Sequence, residues 1–350
     1  MPVGEIEYTN EELATLVKVT DYKKYSRTAL LSLIAAQEAF CDSKTDIHDG
    51  YRTGIISATT AGGIDQTERF YHDVNSDTNF IITHSANHHV EAICEMLNIN
   101  DFSATISTAC SSSANAIMNG TRLIKSGRLD RVLVGGTDAL SKYTVNGFNS
   151  LMILDNEVCK PFDEHRNGLN LGEGAAYLML ESEDAIKQHP EKQIYGTILG
   201  YANANDAYHQ TASSPEGNGA VLSMQKALEN AQIKPSEISY INVHGTGTHN
   251  NDDSEATALQ TIYGDAVPPF SSTKAFTGHT LGASGAIEAI FSLWAINEGL
   301  IFPNLNFKTK MAKFNFSPNT TLKTHQDIRI VLSNSFGFGG NNTTLIIKRK

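Results

Sequence analysis

The sequence predicts an α/β protein made of two similar passes of alternating strands and helices, with parallel-rich sheets covered on both faces. Three observations carry this reading. Runs such as Arg131 to Gly135 (RVLVG) and Gly174 to Leu180 (GAAYLML) are apolar without alternation, as strands buried on both faces are. Stretches of helical period separate such runs, and the alternation restarts near residue 192. No low-complexity segment or flexible linker divides the two passes.

In the first pass, residues 24–41 place Ala29, Leu30, Leu33, Ile34, Ala36 and Ala39 on one face of a helix. A strand follows at Thr53 to Ala58 and ends in the turn Gly62-Gly63. Next come a helix around His88 to Leu97, a short β run from Ala104 to Ser107 that stops at Cys110, and a helix from Ser111 to Ile124. The strands at 131–135 and 174–180 and a connecting helix at Glu183 to Gln188 complete it. The second pass reads as a strand at Gln193 to Leu199, a helix at Ala220 to Ala231, a strand at Ile238 to Val243 and a helix at Asp253 to Tyr263. The glycine-rich turn Gly278 to Gly285 then enters the helix Ala286 to Asn297, and strands at Ile328 to Leu332 and Thr343 to Ile347 close the chain.

The composition narrows the function. The 350 residues are 40 % hydrophobic and 19 % charged, enough apolar material for a deep core and too little charge for a disordered polyelectrolyte. A net charge of −11 argues against a general nucleic-acid surface, whose affinity comes from Lys and Arg neutralising phosphate. No stretch approaches the roughly 18 apolar residues that span a bilayer. The acidic start Met1 to Glu12 lacks the basic and apolar regions of a signal peptide, so a cytoplasmic location with no membrane partner is expected. Cys41, Cys94, Cys110 and Cys159 have no metal-ligand spacing and are expected as free thiols.

Four segments could carry chemistry. Cys110, in STACSSS, stands where a strand hands over to a helix, so the helix N–H groups should favour thiolate; a structural buried cysteine is the competing reading. His244 opens HGTGT at the end of the strand ISYINV, where α/β proteins place ligands, with the hydroxyls of Thr246 and Thr248 on the same loop; a histidine bonded within a turn is the alternative. The run Lys274 to Gly285 contains His279, and Glu288 follows in an apolar helix where a buried acid needs a partner, for which Lys274 is the candidate. The segment Asn334 to Asn342 interleaves Phe336 and Phe338 with Gly337, Gly339 and Gly340, which reads as a loop with presented N–H groups rather than an ordinary strand, a plain hairpin remaining open.

With these motifs in one order, ISTAC at Cys110, RVLVGGTDA at 131–139, KPFDEHRNGLNLGEGAAYLMLE at 160–181, VHGTGTHNNDDSE at 243–255, KAFTGHTLGASGAIE at 274–288 and SNSFGFGGNN at 333–342, the sequence resembles the elongating β-ketoacyl-acyl-carrier-protein synthases of the thiolase superfamily. The resemblance runs from about Lys23 to Lys348. It implies a thiolase-like fold of two pseudo-duplicated halves in an αβαβα arrangement, residues 1–190 with Cys110 and residues 191–350 with His244 and His279. Cys110 would take an acyl group from a carrier-protein thioester, with the N–H groups of Cys110 and Phe338 as oxyanion hole. His244 and His279 would bind the malonyl thioester and stabilise its enolate. Lys274 and Glu288 would hold the histidine loop, Thr246 and Thr248 would bond the pantetheine arm, and Phe338 would gate the acyl pocket. No metal or dissociable cofactor is implied, the phosphopantetheine belonging to the substrate. His279, where initiating relatives carry Asn, favours elongation, in fatty-acid or specialised polyene or polyketide-like lipid synthesis.

The resemblance also implies a dimer through elements flanking the cysteine, homodimeric or heterodimeric with another ketosynthase-like chain. A weakly active partner subunit like a chain-length factor is the alternative function, although Cys110 favours a catalytic chain. Three departures stand out. The opening strand of the family has no counterpart in MPVGEIEYTNEELATLVKVT, so a core strand is expected to be missing or replaced; Asn167 stands where Asp is usual, and Asn341 where Thr is usual. An acidic carrier protein should meet basic patches, for which Lys18, Lys23, Lys24 and Arg27, or Arg122, Lys125, Arg128 and Arg131, are the candidates.

Overall fold

The computed structural model describes residues 1–72 and 78–350. Among the described residues nine strands form two sheets. The first holds β1 (Thr53–Ala58), β2 (Phe102–Ile106), β3 (Arg131–Asp138) and β4 (Gly174–Glu181) in the order β2-β1-β3-β4. The second holds β5 (Thr197–Asn205), β6 (Tyr240–Asn242), β7 (Phe270–Ser271), β8 (Ile330–Gly337) and β9 (Asn341–Lys348) in the order β5-β9-β8-β6-β7. The central strands β1 and β6 each run parallel to both neighbours, while β4 and β9 turn back antiparallel to β3 and β8. The two sheets thus repeat one pattern, except that β5 pairs with the outer edge of β9 and no described strand pairs with the outer edge of β4. This is the place in the fold to which the expectation of a missing or replaced core strand refers.

The helices Ser112–Lys125 and Ser284–Glu298 lie between the sheets. One buried cluster joins Val132 and Val134 of β3, Ile117 and Ala289 of these helices, and Val331 and Ile347 of the second sheet. On its other face the first sheet packs Ile55 and Leu133 against Leu33 and Ile93 of the helices Arg27–Asp42 and His88–Leu97. The second sheet likewise packs Ile241 and Leu332 against Met224, Leu228 and Leu259 of Asn218–Ala231 and His249–Tyr263. Both faces of each sheet are therefore apolar, and the layers stack as αβαβα. Among the described residues no helix is long and apolar enough to cross a membrane.

Local chemistry sets most boundaries. Ser26 caps the helix Arg27–Asp42 by accepting from the Ala29 N–H, and Thr248 caps His249–Tyr263 through the Asn251 N–H. Two short helices that the apolar period does not reveal start in capping boxes: Asn10–Leu16 from Thr9 and Lys142–Ser150 from Ser141. The strand expected at 193–199 lies instead at 197–205, where it meets β9.

The glycine-aromatic segment differs from expectation in one respect. Asn334 to Gly337 continue β8, because Phe336 and Asn334 are buried and the strand is bonded to β9 up to Gly337. Only Phe338–Gly340 form the turn, with φ of 77° and 76° at Gly339 and Gly340, so the hairpin alternative describes the backbone.

Candidate active site

The nucleophile segment is strained where it matters. Between β2 and the helix Ser112–Lys125, Ala109 adopts φ 52°, a left-handed conformation that a side chain resists, and the turn presents Cys110 at the helix entrance. The N–H groups of Phe338 and of Cys110 itself face its sulfur. Thiolate was expected at this position, yet burial pushes the Cys110 thiol up to about 12, against the pull of Lys274 and the two N–H groups. The resting group is a thiol, because losing water around the sulfur outweighs the helix end.

His244 follows β6. Its N–H and that of Gly245 donate to the Glu255 carboxylate at 2.9 and 2.8 Å, which also accepts from Asn334 Nδ2 at 3.0 Å. Burial raises Glu255 to about 7. Lys274 Nζ donates to the His244 carbonyl at 2.6 Å, lies 3.2 Å from His244 Nδ1, and is ion-paired with Glu288, both side chains being buried. An ammonium can only donate, so Nδ1 accepts and the ring proton resides on Nε2. Beyond it, the Thr246 and Thr248 hydroxyls bond each other at 2.9 Å.

His279 is set by a strap. The Asn170 carbonyl accepts its N–H at 2.7 Å, and the Gly172 N–H donates to its carbonyl at 3.0 Å. A Cβ at Gly172 would meet the Thr277 carbonyl oxygen at 2.1 Å, so only glycine permits this approach. The Leu281 N–H donates to His279 Nδ1 at 3.3 Å, which again leaves Nε2 as the N–H. Asp138, at the end of β3, locks the loop across the two sheets by accepting from Gly282 N at 2.6 Å and from Thr59 Oγ1 at 2.7 Å.

These segments converge. Cys110 Sγ and one ring nitrogen each of His244 and His279 lie within 4.8 Å of one another, and the imidazoles are edge-to-face at 5.3 Å. Burial lowers the pKa of both histidines well below the usual value, and the Lys274 charge lowers both further. Two neutral N–H donors therefore face a buried thiol. The same trio is, among the described residues, the one group able to converge on a metal ion, but the adjacent ammonium of Lys274 opposes a cation there. A cavity of about 260 Å³ opens from Cys110 past Thr246, Thr248 and His249, with Phe148 and Phe338 stacked at 5.7 Å on its wall.

All eight predicted residues, Cys110, His244, His279, Lys274, Glu288, Phe338, Thr246 and Thr248, are in this one place. The residue pattern does not single out the buried carboxylates Asp138, Asp252 and Glu255, although the quoted motifs contain them; Asp252 accepts from Thr246 N at 3.0 Å and from Phe162 N at 2.7 Å. An acid among small residues, as in GGTDA, is the signal for a carboxylate that caps backbone N–H groups. Phe148 was missed as well.

The basic patches fare differently. Arg27 is ion-paired with the buried Glu173, and Arg131 is fully buried between Asp49 and Glu181. Neither is available to a partner. Arg122 and Lys125 are exposed, against the Tyr201 ring, at the far end of the 14-residue helix that starts beside Cys110, about 20 Å away.

Residues 10–185 match the N-terminal domain and residues 195–308 the C-terminal domain of the beta-ketoacyl synthases. The chain belongs to the β-ketoacyl synthase family. It is 32 % identical over 363 aligned positions to 3-oxoacyl-[acyl-carrier-protein] synthase 2 of Staphylococcus aureus strain N315, covering 98 % of this chain and 86 % of that one. To the mitochondrial 3-oxoacyl-[acyl-carrier-protein] synthase of Arabidopsis thaliana it is 39 % identical over 253 positions, 68 % of this chain and 54 % of the other. Among solved structures, the ishigamide ketosynthase/chain length factor superposes with a TM-score of 0.92 at 30 % identity, over 99 % of this chain and 87 % of that one. The ketosynthase ApeO in complex with its chain length factor ApeC from Xenorhabdus doucetiae gives 0.82 at 32 %, over 99 % and 86 %. The fold is thiolase-like, and this β-ketoacyl synthase is an acyltransferase.

Proposed function

We propose that this ketosynthase is of the elongating type and catalyses decarboxylative condensation of an acyl thioester with a malonyl thioester, both carried by an acyl carrier protein. The observation that carries the reading is the convergence of the Cys110 thiol with two imidazoles whose Nδ1 atoms are both engaged, so that each offers Nε2–H. Acyl transfer forms the bond from Cys110 Sγ to the acyl carbon, breaks the donor's thioester C–S bond and passes the thiol proton to the departing pantetheine sulfur. The N–H groups of Cys110 and Phe338 stabilise the oxyanion of that step. Loss of carbon dioxide breaks the malonyl C–C bond and leaves its electron pair as an enolate, held by His244 and His279. The enolate carbon attacks the acyl carbonyl, the C–S bond to Cys110 breaks, and the released thiolate takes a proton from solvent.

In this scheme Lys274 and Glu288 hold the tautomer of His244, Thr246 and Thr248 bond the pantetheine arm, and Phe338 gates the acyl side. The halves 1–190 and 191–350 contribute the nucleophile and the histidines respectively. The steps balance without a metal or dissociable cofactor. A dimer through β2 is supported by its free outer edge and exposed Phe102, directly ahead of Cys110. The likeness to the ketosynthase/chain length factor structures favours a ketosynthase-like partner chain and a specialised lipid or polyene substrate, and it supports, as a second reading, a weakly active partner subunit. An acyl-carrier-protein partner is supported by a similar ketosynthase described in complex with its acyl-carrier protein, at 26 % identity.

Intact-mass measurement after incubation with an acyl-carrier thioester decides between the readings. Acyl mass on wild type and none on Cys110→Ala supports the enzyme. No acyl mass on either leaves the partner-subunit reading.

A further inference from the structure

The two N–H donors at the Cys110 sulfur come from different segments, 108–115 and 337–343, which no strand pairing joins and which side chains bridge. The Asn341 side-chain oxygen lies 2.7 Å from Ser111 Oγ and accepts from Asn115 Nδ2 at 2.9 Å and Asn203 Nδ2 at 2.7 Å. Thr343 Oγ1 adds a bond to Asn115 Oδ1 at 2.8 Å and accepts from Asn203 Nδ2 at the same distance. Ser111 is the residue after Cys110, and Asn115 lies one helical turn further. Asn341 closes the turn that carries Phe338. The backbones themselves are in contact, since a Cβ at Gly337 would lie 3.0 Å from the Thr108 carbonyl oxygen and 3.1 Å from the Cys110 nitrogen. On its far side the turn is tied to another segment, Gly339 N donating to the Gln210 carbonyl at 2.7 Å and Asp206 N to the Gly340 carbonyl at 2.8 Å.

We infer that Asn341 is a positioning residue that braces the oxyanion hole, its carboxamide oxygen holding the Phe338 N–H at a set distance from the Cys110 N–H. The inference rests on the condensing reading above. Gly339 and Gly340, both at positive φ, form the turn; Ser111 and Asn115 tie Asn341 to the nucleophile segment, and Asn203 of β5 ties it from the neighbouring strand. Releasing them lets the turn drift toward residues 206–210, and the hole then widens without disturbing His244 or His279. A three-way acceptor of this kind needs an oxygen carried on Cγ, which Asn provides, whereas a Thr at this position would offer a hydroxyl on Cβ.

The experiment compares two reactions of one enzyme: acylation of Cys110 by an acyl-carrier thioester, followed by mass, and carbon dioxide release from malonyl-carrier thioester with no acyl donor present. The first passes through the Cys110–Phe338 hole, and the second through the histidines. Asn341→Ala is expected to slow the maximal acylation rate about tenfold to a hundredfold, a fraction of what loss of a whole oxyanion donor costs, with the half-saturating donor concentration unchanged. Carbon dioxide release should stay within about twofold of wild type on the same scale. Asn341→Asp keeps the accepting oxygen and should recover most of the rate, while Asn203→Ala, away from the sulfur, should show a weaker loss of the same kind. Equal loss in both reactions, or no loss in acylation, overturns the brace. A wild-type chain that is never acylated at Cys110 overturns the condensing reading instead, and the brace with it.

Discussion

Lys274 Nζ lies 3.2 Å from His244 Nδ1 and donates to the carbonyl of the same residue at 2.6 Å, so one ammonium fixes both the backbone and the tautomer of that histidine. Its charge is balanced by Glu288, equally buried. Replacing Lys274 by Met strands the Glu288 carboxylate, at a cost of roughly 3–5 kcal/mol in unfolding free energy. The double variant Lys274→Met with Glu288→Gln should recover most of that stability in denaturant melts. It should not recover decarboxylation, which is expected to remain down at least about a hundredfold because Nε2–H is no longer enforced.

The Cys110 thiol, pushed up to about 12 by burial, predicts its reaction with iodoacetamide. Alkylation followed by peptide mass should rise steadily with pH through the range 7 to about 10, with the exposed Cys41 as internal reference. A plateau beginning near neutral pH is the signature of a preformed thiolate and would sink the assignment of a resting thiol.

Glu255 has a folded pKa of about 7, raised from 4.5 by burial. An acid raised on folding binds its proton more tightly in the native state, so its stabilising contribution is complete below about pH 4.5 and is lost as the pH rises through 7. Glu255→Gln should therefore flatten the pH dependence of stability between those values. If melts of the variant and wild type run parallel from pH 4.5 to 7, the carboxyl is ionised throughout.

Gly172→Ala places a methyl 2.1 Å from the Thr277 carbonyl oxygen, and the strap that holds His279 must shift. A loss of about 1–3 kcal/mol is expected from denaturant midpoints, together with slower decarboxylation. Gly147→Ala, inside the helix Lys142–Ser150 with nothing within 4 Å of the added Cβ, is the control: it should leave decarboxylation unchanged and raise stability by up to about 1 kcal/mol, alanine being the better helix residue.

How much of this was legible in the sequence follows from the kind of signal each element leaves. β3 and the helix Ser112–Lys125 announce themselves by period and apolarity, and Cys110, His244 and His279 by residue type at strand ends. Burial has no such local signal. Arg131 and Arg27 read as a docking surface because basic residues clustered within about ten positions look solvated, while the carboxylates that neutralise them, Asp49, Glu181 and Glu173, are distant in sequence. The thiolate expected for Cys110 meets the same limit: the helix end is visible in sequence, and the burial that pushes the thiol up is not. Asn334 to Gly337 read as loop from their glycines and aromatics, and became strand through pairing with β9, which composition cannot show.

The outer edge of β4 carries a liability of handling. Its eight residues, GAAYLMLE, contain no proline and no lysine, and their register with β3 is unbroken by a bulge. Such an edge is a template for strand pairing between chains. In concentrated solution the first sheet can grow by recruiting a neighbour's backbone, so light scattering that climbs with protein concentration equally in wild type and Cys110→Ala belongs to this edge rather than to the chemistry at Cys110.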